Sequence, residues 1–333
     1  MSESARVPRL YLHSYLAPLR AFLDHADVTD IYVNRPGEVW TESVRGQVER
    51  HNVPALDETV LARLSRQIAS LSDQGISREH PLLSATLPDG ARVQIIAPPA
   101  TRGPMALAIR KHLSSDLRLS DYAAAGAFAE TRRGTSLGRA PVDAKLAQLL
   151  ASGDIAGMLS AAVRARKNIL VSGGTSTGKT TFLNALLQEV PARERLILIE
   201  DTPELKLTHA NAIGLVAARG ELGEARVDAD MLLAASLRMR ADRIILGELR
   251  GSEAYTFLRA VNTGHPGSMS SVHADSAAGA IEQIVLLVLQ GGGRLDRSDV
   301  HHYIRSTIGV FVQLARTGGR RHVAEVVLAD PGR

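Results

Sequence analysis

The stretch that decides the fold runs from Asn168 to Leu187 and reads NILVSGGTSTGKTTFLNALL. Within it, Gly173–Thr180 match every fixed position of the pattern G-x-x-x-x-G-K-[ST], a phosphate-binding loop. The apolar run Ile169–Ser172 before the loop predicts a buried strand, and the leucine spacing after it predicts a helix. A strand, a glycine-rich loop and a helix in this order predict an α/β domain built on a largely parallel sheet.

Each fixed residue of the loop has its own physical role. Gly173 and Gly178 let the backbone turn tightly and approach a ligand, so the following N–H groups converge on phosphate oxygens at a helix N-terminus. Lys179 is expected to reach the β- and γ-phosphates, and the Thr180 hydroxyl to coordinate Mg²⁺. A glycine-rich turn without a ligand is the alternative interpretation. The predicted nucleotide-contacting residues are Gly173, Gly174, Thr175, Ser176, Thr177, Gly178, Lys179, Thr180 and Thr181.

The composition is that of an ordinary globular protein with room for two domains. The chain has 333 residues, of which 45% are hydrophobic and 22% charged, and it has no cysteine, which excludes disulfides and thiolate zinc sites. It shows neither a membrane-spanning apolar run nor a signal-peptide pattern, so we expect a cytoplasmic protein. Because the net charge is only +4 and aromatic residues make up 4%, we expect no direct nucleic-acid binding.

The patterning changes along the chain and predicts two domains. Residues 1–129 mix helical spacing, as at Asp57–Ser72, with strand-like stretches such as Val28–Val33, and are expected to form a smaller α+β domain. Residues 130–141 are polar and glycine-rich and are expected to be a linker. Residues 142–333 alternate helical stretches with short apolar strands and are expected to form the α/β domain.

Two further apolar strands end in acidic residues. The run from Arg243 to Leu246 is followed by Gly247 and Glu248, which matches the Walker B arrangement, in which a strand delivers a carboxylate to the phosphate site. Leu196–Ile199 lead in the same way to Glu200 and Asp201. We expect Glu248 to polarise an attacking water and both glutamates to order Mg²⁺, partly through water. Surface carboxylates that merely end core strands are the alternative.

Two histidines flank a glycine- and serine-rich stretch in the C-terminal third of the chain. His265 and His273 lie eight residues apart and fit no common zinc pattern. They are candidates for sensing a γ-phosphate or for coupling it to movement. A histidine held by ordinary hydrogen bonds within the fold is the alternative for either one.

Four motifs in this order closely resemble those of the secretion superfamily of ATPases. They are the glycine-rich loop, IEDTPEL at 199–205, LRMRADRIILGELRG at 237–251, and GHPGS at 264–268 with His273. Within that superfamily the set looks most like the hexameric, RecA-like traffic ATPases of type IV secretion and conjugation systems. The family calls these segments the Walker A motif, the Asp box, the Walker B motif and the His box. The resemblance covers nearly the whole chain.

The resemblance implies a set of catalytic residues. They are Lys179, Glu248, Glu200, His273, His265 and Arg110, the last matching an N-terminal-domain arginine that closes on the nucleotide phosphates. Arg132 and Arg133 are weaker candidates for the same role. The loop departs from the common family form because Ser176 stands where glycine is usual, and we expect no loss of a ligating group.

The function implied by the resemblance is a hexameric motor that hydrolyses ATP, with Mg²⁺ as the metal, to power substrate translocation or pilus assembly. It implies contacts with other secretion-system ATPases and inner-membrane components, at the cytoplasmic face of the inner membrane. Alternatives are a related pilus-assembly or type II secretion ATPase, a RecA-like nucleic-acid motor, a nucleotide-gated scaffold and a small-molecule kinase. The missing cysteines disfavour the relatives that carry a four-cysteine zinc module.

Overall fold

The computed structural model describes residues 12–111, 118–124, 126–129, 131, 141–218, 223–292 and 295–329. The strands of these residues form two sheets, one of six strands and one of seven. Residue 130 and residues 132–140 of the predicted linker, with Arg132 and Arg133, lie outside the described residues. The helix that follows begins at Pro141, the last residue assigned to that linker.

The first sheet is antiparallel and has the order β3-β2-β1-β6-β5-β4. Ile31, Val39 and Ile95 of this sheet pack in a core with the apolar side of the long helix that follows β3. Asp57 caps that helix by accepting a hydrogen bond from the Val60 N–H at 2.7 Å. Its strands are β1 (Val28–Val33), β2 (Glu38–Ser43), β3 (Val48–Asn52), β4 (Leu82–Thr86), β5 (Arg92–Ile96) and β6 (Ala106–Arg110).

The second sheet has the order β13-β12-β7-β11-β10-β8-β9. Every neighbouring pair is parallel except the hairpin of β12 and β13. Its central strands are buried on both faces, as expected for a parallel sheet covered by helices. The strands are β7 (Ile169–Gly173), β8 (Leu196–Glu200), β9 (Ala212–Val216), β10 (Arg243–Leu246), β11 (Met269–Val272), β12 (Val310–Thr317) and β13 (Arg320–Leu328).

The helices cover both sheets. Among the described residues, no helix combines the length and the apolar character needed to cross a membrane. Residues 12–16 form α1, and a 3₁₀ turn (Ala17–Leu19) joins it to the next helix. The other helices are α2 (Arg20–Asp24), α3 (Glu58–Leu71), α4 (Leu119–Ala124), α5 (Pro141–Ala151), α6 (Ile155–Arg164), α7 (Lys179–Gln188), α8 (Ala229–Ser236), α9 (Glu253–Asn262), α10 (Ala277–Gln290) and α11 (Arg297–Thr307).

The predicted α/β fold class is confirmed, but three strands were not predicted from the sequence. β3 is exposed at nearly every position and reads VERHN, so it has no apolar alternation to detect. β4 and β9 were also missed, because each contains small or polar residues that weaken the apolar signal. The edge position of β3, β4 and β9 explains why such sequences are tolerated there.

The two sheets contact each other through a short chain segment and a buried cation. The segment after β5 lies along the edge strand β9, where the Arg102 N–H donates to the Gly214 carbonyl at 2.9 Å. Arg195, which is 2% exposed, stacks over the ring of Tyr32 at 4.3 Å and donates to Asn34 at 2.7 Å. These contacts place residues of the first sheet beside the strand ends of the second.

Candidate active site

The strand order brings the predicted motifs to one edge of the second sheet. The glycine-rich loop follows β7, His273 follows β11, Glu248 follows β10, and Glu200 ends β8. These four strands are consecutive neighbours and run parallel, so their carboxyl ends meet at the same edge. A cavity of about 480 Å³ lies there, lined by the loop residues 174–181 and by the residues that follow the strands.

The loop is packed so tightly that two of its residues tolerate little change. Gly178 directly precedes α7 and has a φ of 94°, a left-handed conformation that glycine adopts without cost. A Cβ atom on Gly173 would lie 2.5 Å from Thr177 Oγ1 and 3.0 Å from the Leu314 carbonyl oxygen. Thr177 Oγ1 itself donates to the Gly174 carbonyl at 2.8 Å, which closes the loop.

Ser176 adopts the left-handed conformation as well, with φ of 62°. A residue with a Cβ atom is strained there, at a cost of about 1–2 kcal/mol. The family form that has glycine at this position lacks that strain. Ser176 therefore places backbone strain in the predicted phosphate-binding loop.

Lys179 and Glu248 form an ion pair in the wall of the cavity. The Lys179 ammonium lies 3.6 Å from Glu248 Oε1 and donates to the Gly173 carbonyl at 3.0 Å. Burial lowers the pKa of Lys179, and the negative charge of Glu248 opposes that shift. The ammonium is therefore held beside the loop by one carbonyl oxygen and one carboxylate oxygen.

Glu248 is the centre of a cluster of basic side chains. His273 Nε2 lies 2.9 Å from Glu248 Oε1, and Arg250 forms an ion pair with Oε2. Arg250 also lies 3.7 Å from Asp201. The side chain of Glu248 is only 12% exposed, so these interactions are weakly screened by solvent.

Glu200 has partners that the sequence did not indicate. It is 5% exposed, and its Oε1 accepts hydrogen bonds from the Glu204 and Leu205 N–H groups at 3.0 and 2.9 Å. Arg102, which lies beyond β5 of the first sheet, forms an ion pair with Oε2. Both carboxylate oxygens of Glu200 are thus engaged by the protein, as are both of Glu248.

Two predicted catalytic residues lie outside this cavity. Arg110 forms an ion pair with Asp30 at 3.0 Å and lines a different cavity, between the first sheet and the end of α8. His265 is 9% exposed, and its Nδ1 lies 2.8 Å from the Ala241 carbonyl oxygen. Burial lowers its pKa. His265 is thus held by a hydrogen-bond contact within the fold, which was the alternative interpretation for either histidine. His273, by contrast, lines the cavity.

Three arginines at the site were not among the predicted site residues. Arg250 follows Glu248 by two residues in the motif itself, a signal that was available in the sequence. Arg321 reaches the cavity from β13, with its Cδ 3.3 Å from the position of a Cβ on Gly178. Arg102 carries no local signal, because only the contact between the two sheets brings it to Glu200.

Comparisons with known proteins agree with this geometry. Residues 13–317 match the family described as type II/IV secretion system protein. The chain is 39% identical over 324 residues to the type IV secretion system protein VirB11 of Bartonella henselae, covering 93% of this chain and 91% of that protein. It is 37% identical to the PtlH homolog of Bordetella bronchiseptica, a type IV secretion system protein, covering 99% and 98% of the two chains.

One solved structure has a fold similar to that of this chain over nearly its whole length. The VirB11 ATPase from the Brucella suis type IV secretion system, crystallised with sulphate, superposes with a TM-score of 0.92 at 38% identity. The match covers 98% of this chain and 97% of that one. The expected fold class, an α/β domain of the secretion-ATPase type with a smaller α+β part, is confirmed by this match.

Proposed function

Because this chain belongs to the type II/IV secretion system protein family, we propose that it is the ATP-hydrolysing motor of a type IV secretion system. The observation that carries the proposal is the cavity at the sheet edge, where the phosphate-binding loop, Glu248 and His273 meet. ATP would bind with its phosphates in the loop, against the N–H groups at the start of α7. Residues 1–129 and 142–333 would act as two domains joined by the linker 130–141.

Lys179 and Glu248 would exchange partners when ATP binds. The Lys179 ammonium would leave the Gly173 carbonyl and Glu248 for the β- and γ-phosphate oxygens. That exchange would release Glu248 Oε1 from Lys179, and this oxygen, which also lies beside His273, would then accept a proton from water. The water oxygen then bonds to the γ-phosphorus, and the bond from that phosphorus to the bridging oxygen breaks, which gives ADP and phosphate. Arg250 and Arg321 are positioned to stabilise the phosphate charge.

Mg²⁺ fits the donors of this cavity as a metal shared with the nucleotide. The described residues contain no cluster of three or more acidic or histidine side chains that could hold an ion alone. Magnesium bound to nucleotides commonly takes one or two protein oxygens and completes its shell with phosphates and water. Thr180 and Glu248 line the cavity and would supply those oxygens. The ion would neutralise charge on the phosphates during transfer.

The motor would work as a homo-hexamer at the cytoplasmic face of the inner membrane, with the other secretion-system ATPases and inner-membrane components as partners. A closed ring would let a movement that begins at one site pass to the neighbouring subunit. Arg110 lies away from the cavity of its own chain and is left without an assigned role in it.

Phosphate release from ATP and Mg²⁺ tests the enzymatic part of the proposal. Lys179→Ala and Glu248→Gln are each expected to lower turnover about 100-fold or more, because each removes a charged group from the transition state. Lys145→Ala, which removes an exposed lysine of α5, is the matched control and should leave turnover unchanged. Wild-type turnover in Lys179→Ala would refute the site.

Light scattering tests the ring. With ATP and Mg²⁺ the mass is expected to rise from that of the 35.7 kDa chain to about six times that value, and Glu248→Gln should retain the assembly. A monomer at all nucleotide concentrations would refute the ring while leaving the ATPase assignment intact.

A further inference from the structure

An arginine of the first sheet's domain contacts a carboxylate of the candidate active site. Arg102 lies in the segment between β5 and β6, whereas Glu200 ends β8 and lines the cavity. Arg102 is not among the described residues that line this cavity. Any effect of Arg102 on the reaction therefore passes through the residues that it contacts.

The segment that carries Arg102 is fixed against the edge strand β9. Thr101 and Leu215 form an antiparallel bridge, and beside it the Arg102 N–H donates to the Gly214 carbonyl at 2.9 Å. The segment therefore extends the seven-stranded sheet by a short stretch. The position of Arg102 depends on this contact between the two sheets.

The side chain of Arg102 is placed by a glycine and by a carbonyl group. A Cβ atom on Gly214 would lie 2.7 Å from Arg102 Nε and 2.9 Å from its Cγ, so the side chain fills the space that the glycine leaves. Its Nη1 donates to the Leu205 carbonyl at 2.6 Å, and its Nη2 pairs with Glu200 Oε2. The planar guanidinium thus holds the residues after β8 at two points.

Glu200 in turn packs against the backbone that carries Glu248. A Cβ atom on Gly247 would lie 2.9 Å from Glu200 Cγ, so the glutamate side chain lies directly on this glycine. The Gly247 N–H donates to the Ile199 carbonyl at 2.8 Å, and the Gly247 carbonyl accepts from Ser271 Oγ at 2.8 Å. Glu248 is the next residue, so the position of Glu200 helps to set the position of Glu248.

We propose that Arg102 is a positioning residue for ATP hydrolysis, which acts through Glu200 on the turn that carries Glu248. This inference rests on the proposed ATPase function. Removing or displacing the guanidinium releases Glu200 Oε2 and lets the glutamate move away from Gly247, so Glu248 is held less well beside the attacking water. A misplacement of about 1 Å at a catalytic group can cost about 100-fold in rate.

Turnover and nucleotide affinity of the full chain, measured separately, test the proposal. Arg102→Leu is expected to lower kcat about tenfold or more, while the Kd of a fluorescent ATP analogue changes less than about twofold. Arg102→Lys keeps a cation and should have an intermediate kcat. A merely structural role would lower the fraction of protein that binds nucleotide and leave kcat per bound nucleotide unchanged.

A double-mutant cycle with Glu200 shows whether Arg102 acts through that residue. Glu200→Gln should lower kcat, and adding Arg102→Leu to it should lower kcat no further. The proposal is overturned if the two losses multiply. Wild-type kcat in either single variant would overturn it as well.

Gly214→Ala tests the same contact without removing a charge, and it decides the outcome if Arg102→Leu does not fold. The added methyl group displaces the Arg102 side chain, so kcat should fall about threefold or more. Gly103→Ala is the matched control, because a Cβ atom there would meet no atom within 4 Å apart from its chain neighbours. Gly103→Ala should keep the wild-type kcat, and an equal kcat in Gly214→Ala would refute the positioning role.

Lys179→Ala separates this inference from the proposed function. If the wild type does not hydrolyse ATP, or if Lys179→Ala hydrolyses it equally well, the proposed function fails and the inference fails with it. If the wild type is active, Lys179→Ala is not, and the Arg102 variants keep the wild-type kcat, only the inference fails.

Discussion

Replacing Arg102 by leucine should destabilise the protein by leaving Glu200 as a buried charge without a cation. The Arg102 side chain is 13% exposed and that of Glu200 is 4% exposed, so the pair is shielded from water. Burial lowers the pKa of Arg102, but an arginine stays charged at any physiological pH. The pair also joins the segment after β5 to the end of β8, one of the strands that form the cavity.

The loss of stability expected for Arg102→Leu depends on the groups that still contact Glu200. Removing one partner of a buried ion pair costs about 3–5 kcal/mol. Glu200 keeps two backbone hydrogen bonds, from Glu204 and Leu205, which still stabilise its charge. We therefore expect a loss near the lower end, about 3 kcal/mol. Glu200→Gln in the Arg102→Leu background removes the stranded charge and should recover most of that loss.

Denaturant unfolding of the four proteins of this cycle measures the effect. Arg78→Leu serves as the control, since its ion pair with Glu224 also starts in the first sheet's domain but is exposed at both ends. That variant should unfold at the same denaturant concentration as the wild type. The reasoning fails if Arg102→Leu unfolds like the wild type, or if adding Glu200→Gln to it restores nothing.

Three further outcomes follow from the site and the core. Ser176→Gly should raise the free energy of unfolding by about 0.5–1 kcal/mol, because the strain energy relieved exceeds the entropic cost of the flexibility that glycine adds to the unfolded chain. Denaturant unfolding measures this change, and a loss of stability would contradict it. Gly173→Ala should weaken binding of a fluorescent ATP analogue about tenfold or more, because the new Cβ would overlap Thr177 and approach the Leu314 carbonyl. An unchanged affinity would contradict the close packing of the loop around Gly173. His265 has a pKa below its ordinary value of 6.5, so the unfolded chain binds its proton first and the folded state loses stability as pH falls through about 6.5. Between pH 7.5 and 5.5, His265→Asn should therefore lose less stability than the wild type, and an identical slope would contradict this.

Much of the site could be predicted from the sequence because its signals are local. An apolar strand, a glycine-rich loop and a helix with leucine spacing are adjacent in the chain, so Gly173–Thr180 could be assigned directly. The carboxylates of Glu200 and Glu248 follow apolar strands, and the carboxyl ends of parallel strands meet at one edge. These inferences needed only short-range patterns and the general rule for parallel sheets.

The partners of those residues were decided by the tertiary structure. His265 and His273 lie in one sequence motif, yet β11 carries only His273 to the cavity, while His265 stays buried beside Ala241. Arg110 is bound to Asp30 across neighbouring strands of the first sheet, which sequence spacing alone did not reveal.

The pairing of Arg102 with Glu200 shows the general limit. Short-range patterns follow from backbone geometry and side-chain burial, so the sequence by itself determined most of the buried strands, the predicted phosphate-binding loop and the strands that end in acidic residues. The contact between the two sheets joins residues 98 positions apart in the chain, and no local pattern encodes it. Only the packed structure decided it, because burial removes water from both charges and makes each depend on the other.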